Sequence, residues 1–366
     1  MRGGAEKSFF QTAGLLRRKG HKTIFFSMKN RENLPTEYSN FFINEIDYES
    51  KSLFRKVDYA VKLLYSFEAR KKIFSLIKQT NPDVAHLNNI YHQLSPSIID
   101  VLKTKKIPMI MTLRDYKIVC PAYTLLLKEK VCECFLCKNK RYYHCLLNKC
   151  VKDAFMPSLL NTVEMYLHHN ILNIYNAIDC FVSPSLFLKN AVEKMRFAGK
   201  VVYLPNCVDL KSFNPRFDWE ENDRSIVFFG RLAEGKGLPI LLEAIKDLPI
   251  KLKIVGSGPN EAFLKEIVAA NQISNVEFLG YKDGIELQNI VRNSLFVVLP
   301  SDWFENNPRS IIEGFALGKP AIGARIGGIP ELIKENETGL TFAPGDSKDL
   351  KKKILQLLDN PRLISR

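Results

Sequence analysis

The sequence predicts an α/β protein built from two doubly wound domains that face each other across a cleft. Three observations carry this. Short apolar runs alternate with helical patterns along most of the chain, which is the rhythm of parallel sheets with helices on both faces. The rhythm occurs twice, with a break near Pro205–Asp223. The length, 366 residues, suits two domains of ordinary size. The composition, 46% hydrophobic and 25% charged, is that of a folded globular chain and not of a disordered or fibrous one. No apolar run approaches the roughly 18–20 residues of a membrane span. Met1 leads into a polar, Gly-containing turn with no signal-peptide pattern.

A first helix is expected from about Gly4 to Lys19, stopped by Gly20. Lys22–Ser27 (KTIFFS) reads as a short buried strand. Further strands are expected at Val84–Leu87, Met109–Thr112, Cys180–Ser183 and Val201–Leu204, each followed by a helical pattern. The second series is Ser225–Phe229, Lys251–Val255, Val276–Leu279, Leu295–Leu299 and Ala321–Ala324. The domains are therefore bounded at 1–205 and 206–366, with a Cys-rich insertion at 120–150 in the first. No strand precedes Gly3-Gly4, so a first strand is expected to be missing and the chain to be truncated at its start.

The net charge of +14 is divided unevenly. Residues 1–200 carry 32 Lys and Arg against 17 Asp and Glu, whereas residues 201–366 carry 21 against 22. The excess faces an anionic partner of the first domain or forms a basic surface. Six of the eight cysteines, from Cys120 to Cys150, lie in one stretch. In a chain of this size that pattern points to a reducing, cytoplasmic compartment and away from a disulfide framework.

Two constellations in the second half carry chemistry. Gly230-Arg231-Leu232-Ala233-Glu234-Gly235-Lys236-Gly237 follows a strand and opens a helix. There backbone amides and two cations, Arg231 and Lys236, suit a diphosphate. Ser301-Asp302-Trp303-Phe304-Glu305-Asn306-Asn307-Pro308-Arg309 leads into a helix carrying Glu313, with Pro308 suited to its first turn. A loop carboxylate and amides at a helix start can grip sugar hydroxyls, and a carboxylate two turns on can accept from a ribose. Taken singly, these are a basic turn, a solvated acid and a salt-bridge partner.

Together with VGSGP (Val255–Pro259) and GGIPEL (Gly327–Leu332), these motifs resemble the nucleotide-sugar domain of the retaining GT-B glycosyltransferases of family 4. Gly3-Gly4-Ala5-Glu6, Gly20-His21, PDVAHLNNIYHQLSPS (Pro82–Ser97), TLRDYKIVCP (Thr112–Pro121), SPSLFLKN (Ser183–Asn190) and LPNCVD (Leu204–Asp209) extend the likeness over nearly the whole chain, toward a cell-surface polysaccharide subgroup. The resemblance implies a retaining glycosyltransferase that moves a sugar from a nucleotide diphosphate to a glycan or lipid-linked acceptor. Arg231 and Lys236 would hold the diphosphate, Glu305 the donor sugar and Glu313 the ribose. Gly3, Gly4, Gly230, Gly256, Asn306 and Asn307 would complete the donor site, with His92 and Asp115 on the acceptor side. No cofactor is implied for the chemistry. The expected location is cytoplasmic, peripheral at the inner face of the membrane. Relatives continue past Leu350–Leu358 with a helix returning to the first domain, so truncation is expected at that end too.

Two positions depart from the family pattern. Arg114 stands where a His is usual and cannot act as a base near neutral pH. It can instead stabilise a departing diphosphate. Cys207 replaces a Gly with minor structural effect.

Cys134, Cys137, Cys145 and Cys150, with Cys120 and Cys132 spare, form a candidate structural zinc site; free thiols and disulfides are the alternatives. His92 reads as a ligand-contacting or a structural histidine, and His168-His169 as surface residues. Lys51–Lys78 reads as one basic amphipathic helix, lying on an anionic membrane or packed on the sheet with its cations in water. A zinc-stabilised nucleic-acid-binding protein is the rival from another class, and a catalytically inactive GT-B subunit is a third reading. The first leaves the motifs of the neutral half unexplained, so no nucleic-acid partner is expected.

Overall fold

A computed structural model describes residues 3–45, 53–127, 134–217 and 224–360. The chain packs as two units, Ala5–Leu204 and Pro205–Arg366, the second joined by Arg2–Gly4.

The sheet of the first unit has four parallel strands in sequential order, β1 (Ala85–Asn88), β2 (Met109–Thr112), β3 (Cys180–Ser183) and β4 (Val201–Tyr203). The register pairs Asn88 with Thr112 at the carboxyl ends of β1 and β2. Helix Gly4–Arg18 forms as expected. The expected strand at Lys22–Ser27 does not: the segment is irregular, and its neighbourhood makes only the isolated bridge Met28–Ile43. Its aromatic residues are used otherwise, since Phe25 meets Phe9 and Phe10 of the first helix with ring centroids 5.6 and 6.0 Å apart. The four described strands all add in one direction.

The helix expected over Lys51–Lys78 is two helices, Leu53–Leu64 and Phe67–Thr80. The break falls at Ser66, whose hydroxyl accepts from the Ala69 N–H at 3.2 Å and so caps the second helix. That helix buries Ala69, Ile73, Leu76 and Ile77. Its Lys72 donates to the carbonyls of Asn40 and Phe42, at 3.3 and 2.7 Å. Lys51 and the side chains of Leu53, Phe54, Arg55, Lys56 and Val57 lie outside the described residues.

The second unit has six parallel strands in the order β10-β9-β8-β5-β6-β7. They are β5 (Ser225–Phe229), β6 (Lys251–Val255), β7 (Val276–Gly280), β8 (Val297–Leu299), β9 (Ala321–Ala324) and β10 (Gly339–Phe342). β5, β8, β9 and β10 are buried along their whole length, which is why they read as unbroken apolar runs. β10 was not expected, because Gly339-Leu340-Thr341-Phe342 is short and mixed. Pairing with β9 in register and cover from helix Ser347–Leu358 make it a strand. That helix is capped by Asp346, which accepts from the N–H groups of Lys348 and Asp349, both at 2.9 Å.

Two glycines allow the loops at the carboxyl ends of the strands to approach one another. A Cβ on Gly237 (φ +63°) would lie 1.8 Å from the carbonyl oxygen of Pro300. One on Gly256 (φ +146°) would lie 1.9 Å from that of Gly230. Gly237→Ala should therefore destabilise the second unit by about 2–4 kcal/mol, through left-handed strain and a clash with backbone. Gly14→Ala, in the first helix with open space around it, should be neutral or stabilising by about 0.5–1 kcal/mol. Chemical denaturation of both variants checks the contrast.

Candidate functional site

Strand order in the second unit reverses between β5 and β8, which are neighbours. The chain grows through β6 and β7 on one side and through β9 and β10 on the other. Such a reversal opens a crevice beyond the carboxyl ends of the two central strands, where open α/β sheets bind ligands. β5 runs into Gly230–Gly237, and β8 runs into Pro300–Asn307. The two motifs singled out in the sequence thus arrive at one place.

There they touch. Lys236 Nζ donates to Glu305 Oε1 at 2.5 Å, and Ser301 Oγ donates to the same oxygen at 3.0 Å. The Gly328 N–H, from the GGIPEL segment, donates to the Glu305 carbonyl at 2.7 Å. Asp302 N–H donates to the Gly235 carbonyl at 3.2 Å, a second tie between the loops. Arg231 is exposed, and its carbonyl accepts from the Ala233 N–H at 3.1 Å. Gly230 and Gly256 stand side by side at the ends of β5 and β6, with the Gly230 N–H on the Val255 carbonyl at 3.0 Å. Burial pushes the Asp302 carboxyl up, and Glu234 pushes it further.

Helix Arg309–Ala316 places Glu313 one turn past Arg309. Arg309 Nε and Nη2 donate to Glu313 Oε1 at 3.1 and 3.0 Å, and Nη1 reaches the Cys207 carbonyl at 3.3 Å. Glu313 is buried. Asn307 Oδ1 accepts from the Asn206 N–H, and its carbonyl accepts from Asn206 Nδ2, both at 3.0 Å. The Asn307 Nδ2 group is left buried with no hydrogen-bond partner. An orphaned buried donor is costly and fits a loop shaped for an acceptor that it does not itself supply. Asn306, beside it, is half-buried. Ser301, Arg309 and Asn206 were not among the expected site residues. The Arg309–Glu313 spacing of four was the available signal.

In the first unit the expected residues collect at the carboxyl ends of β1 and β2. His86 Nε2 and Thr112 Oγ1 are hydrogen-bonded at 2.7 Å. Arg114 donates from Nε and Nη2 to Asn88 Oδ1, at 3.3 and 3.2 Å. Burial first, then the Arg114 charge, lowers the His86 pKa. Asp115 Oδ1 accepts from the Lys117 N–H at 2.9 Å, and burial pushes this carboxyl up. The His92 ring is hydrogen-bonded to Tyr123 OH, and its Nε2 lies 3.4 Å from Glu164 Oε2. Gly3 and Gly4, one before the first helix and one opening it, group with the second unit.

Behind His92 lies an ion pair that the sequence did not announce. Lys117 Nζ donates to Glu164 Oε2 at 2.6 Å, and both side chains are fully buried. Burial alone would push the Glu164 carboxyl up, but Lys117, His92 and His168 outweigh it and hold the pKa at about 2. His168 and His169 were expected at the surface and are buried. They sit on a π-helical turn, Leu167–Ile171, that continues helix Phe155–Tyr166. His168 Nε2 donates to the Leu64 carbonyl at 2.7 Å, and His169 lies against Tyr175 with ring centroids 4.6 Å apart. Burial, with neighbouring cations, lowers the His169 pKa to about 3.

The described cysteines are free thiols. Cys120, Cys137 and Cys145 are buried, and Cys134 and Cys150 half-buried. Burial raises the Cys137 pKa, and Cys120, Cys134 and Cys150 raise it further. A hydrogen bond with Cys150, then burial, raises that of Cys145. Cys120, Cys134, Cys137, Cys145 and Cys150 thus lie close enough to act on one another. Among the described residues no group of three or more His, Cys, Asp or Glu is arranged to hold a metal ion, and Cys132 lies outside them.

Residues 211–366 match the family described as glycosyl transferases group 1. The chain is 31% identical over 216 residues to an uncharacterised glycosyltransferase of Methanocaldococcus jannaschii, an alignment covering 53% of this chain and 61% of that protein. It is 27% identical over 351 residues to an uncharacterised 42.6 kDa protein in the cps region of Klebsiella pneumoniae, covering 91% and 84%. Its fold is that of sucrose-phosphate synthase from Thermosynechococcus elongatus, with a TM-score of 0.70, 19% identity and coverage of 99% and 86%. The GT-B class expected from the sequence is thereby shown.

The Glu164 carboxylate, held below its ordinary value of 4.5, contributes stability fully above that value and loses it as pH falls toward about 2. Glu164→Gln leaves Lys117 buried without a counter-charge. It should cost about 3–5 kcal/mol at pH 7. The difference from the parent chain should shrink below about pH 4.5. Urea denaturation at pH 7, 4 and 3 checks it, and a pH-independent difference would exclude the charge as the cause.

Proposed function

We propose that this chain is a retaining glycosyltransferase that moves a sugar from a nucleotide diphosphate donor to a glycan or lipid-linked acceptor during cell-surface polysaccharide synthesis. The observation that carries the reading is the Lys236–Glu305 contact at the strand reversal, a cation suited to phosphate beside a carboxylate suited to sugar hydroxyls. Exposed Arg231 supplies the second cation for the diphosphate. Arg309 orients Glu313 through Oε1, and this carboxylate accepts from a ribose diol. Cell-surface polysaccharide as the destination follows the relative in a cps region.

In the reaction the bond from the anomeric carbon to the phosphate oxygen breaks, and one from the acceptor oxygen forms on the same face. The acceptor proton passes to the departing diphosphate. Lys236 and Arg231 neutralise the charge that grows there, while Glu305 holds the sugar. Arg114, lacking a basic nitrogen at neutral pH, takes no proton and contributes only charge. His92 and Asp115 serve the acceptor. The chemistry calls for no cofactor. If the cysteines hold Zn²⁺, it is structural, since four thiolates leave no open position. The excess positive charge of residues 1–200 fits work at the anionic inner face of a membrane. No helix of the described residues is long and apolar enough to cross one.

Each charged contact is worth about 1.5–3 kcal/mol. Lys236→Ala and Glu313→Ala should therefore each weaken nucleotide-sugar binding by about tenfold or more, measured by calorimetry over a panel of UDP- and GDP-sugars. Unchanged affinity in both variants would sink the assignment. Turnover with the preferred donor should survive EDTA and give a product of retained anomeric configuration by proton NMR. An inverted product would exclude the same-face route, and binding without turnover would favour an inactive subunit.

A further inference from the structure

Helix Phe155–Tyr166 of the first unit is amphipathic the wrong way round. Its inward face carries Ser158, Asn161, Thr162, Glu164 and Met165, all buried, with His168 following. At about 100° per residue, Met156, Leu159, Leu160, Val163 and Leu167 fall together on the opposite side. Met156 is 68% exposed and Val163 44%. Leu159, Leu160 and Leu167 are half-buried. The patch continues at both ends, with Leu147 72% exposed on the preceding helix, Tyr143–Leu147, and Ile171 71% exposed after the π turn. A surface helix normally turns its apolar stripe to the core. Here the core is occupied by the Lys117–Glu164–His168 network, and the stripe faces outward.

The stretch that carries the patch is net basic. Between residues 134 and 178 the only acids are Asp153 and the buried Glu164, against five Lys and Arg. Lys140, Arg141, Lys149 and Lys152 are exposed. An apolar strip on a net basic segment matches an anionic bilayer, in which the strip enters the acyl boundary while exposed cations meet headgroup phosphates.

We infer that the outward face of helix Phe155–Tyr166, with Leu147 and Ile171, docks this enzyme on an anionic lipid surface. The inference rests on the membrane reading above and assigns it a surface, one distinct from the Lys51–Lys78 segment.

The test is co-sedimentation of the full chain with vesicles of phosphatidylglycerol and phosphatidylcholine, compared with pure phosphatidylcholine. The parent chain should bind the anionic vesicles at least tenfold more tightly, with affinity falling as salt rises. Met156→Asp with Val163→Asp, and separately Lys149→Glu with Lys152→Glu, should each reduce that binding about tenfold. Both pairs should leave the melting temperature and nucleotide-sugar affinity unchanged. The charge reversals lie on exposed side chains, so they remain informative if the apolar pair folds poorly. Parent binding that neither pair weakens would overturn the assigned surface and leave the membrane reading standing. No parent binding to anionic vesicles would overturn both, without touching the donor site. A dimer in sedimentation velocity that Met156→Asp dissociates, without vesicle binding, would make the patch a contact between copies.

Discussion

The reversal of strand order between β5 and β8 is the constraint on which the second unit depends. Parallel strands need crossovers, and crossovers that leave two adjacent strands in opposite directions cannot cover the ends of both. The loops beyond β5 and β8 therefore carry the polar side chains, and glycine at 237 and 256 lets their backbones close to contact distance. Lys236 and the Ser301 hydroxyl then fix the Glu305 carboxylate, and the Gly328 amide holds the backbone carbonyl of the same residue. The carboxylate is oriented before any ligand arrives, and its partners come from segments far apart in sequence.

The first unit is organised around charge. A Lys and a Glu are buried together, and His168 and His169 beside them are buried too. A pair of this kind costs desolvation, which good geometry and extra hydrogen bonds offset. It ties the loop after β2, through Lys117, to helix Phe155–Tyr166 and places Glu164 behind His92. Because the helix spends its inner face on this network, its apolar residues are left for the outside. The outward stripe is thus a consequence of the polar interior.

Much was legible in the sequence because the signal was local. Strands buried on both faces, such as Ser225–Phe229 and Ala321–Ala324, are apolar throughout and appear at the expected positions. The Gly-rich turn and the Glu305–Glu313 spacing are fixed by a strand-to-helix connection of set length, so their places in the fold could be read from residue type and order. Other features were not legible because long-range contacts decide them. KTIFFS has strand composition, yet its aromatic rings pack on the first helix. Gly339–Phe342 has little strand character and becomes a strand because β9 and a helix cover it. The break at Ser66 turns on one side-chain cap within an apolar periodicity that runs across it.

By itself the sequence determined the α/β class, the division of charge between the halves and the residue types able to meet a diphosphate and a sugar. These follow from composition, periodicity and short motifs, which need no knowledge of distant neighbours. Only the tertiary structure decided that Lys236 meets Glu305, that Arg309 occupies one oxygen of Glu313, and that His168 and His169 are interior. It also decided that Met156 and Val163 face outward. Periodicity says which residues share a side of a helix; which side is buried depends on what the rest of the chain packs against it.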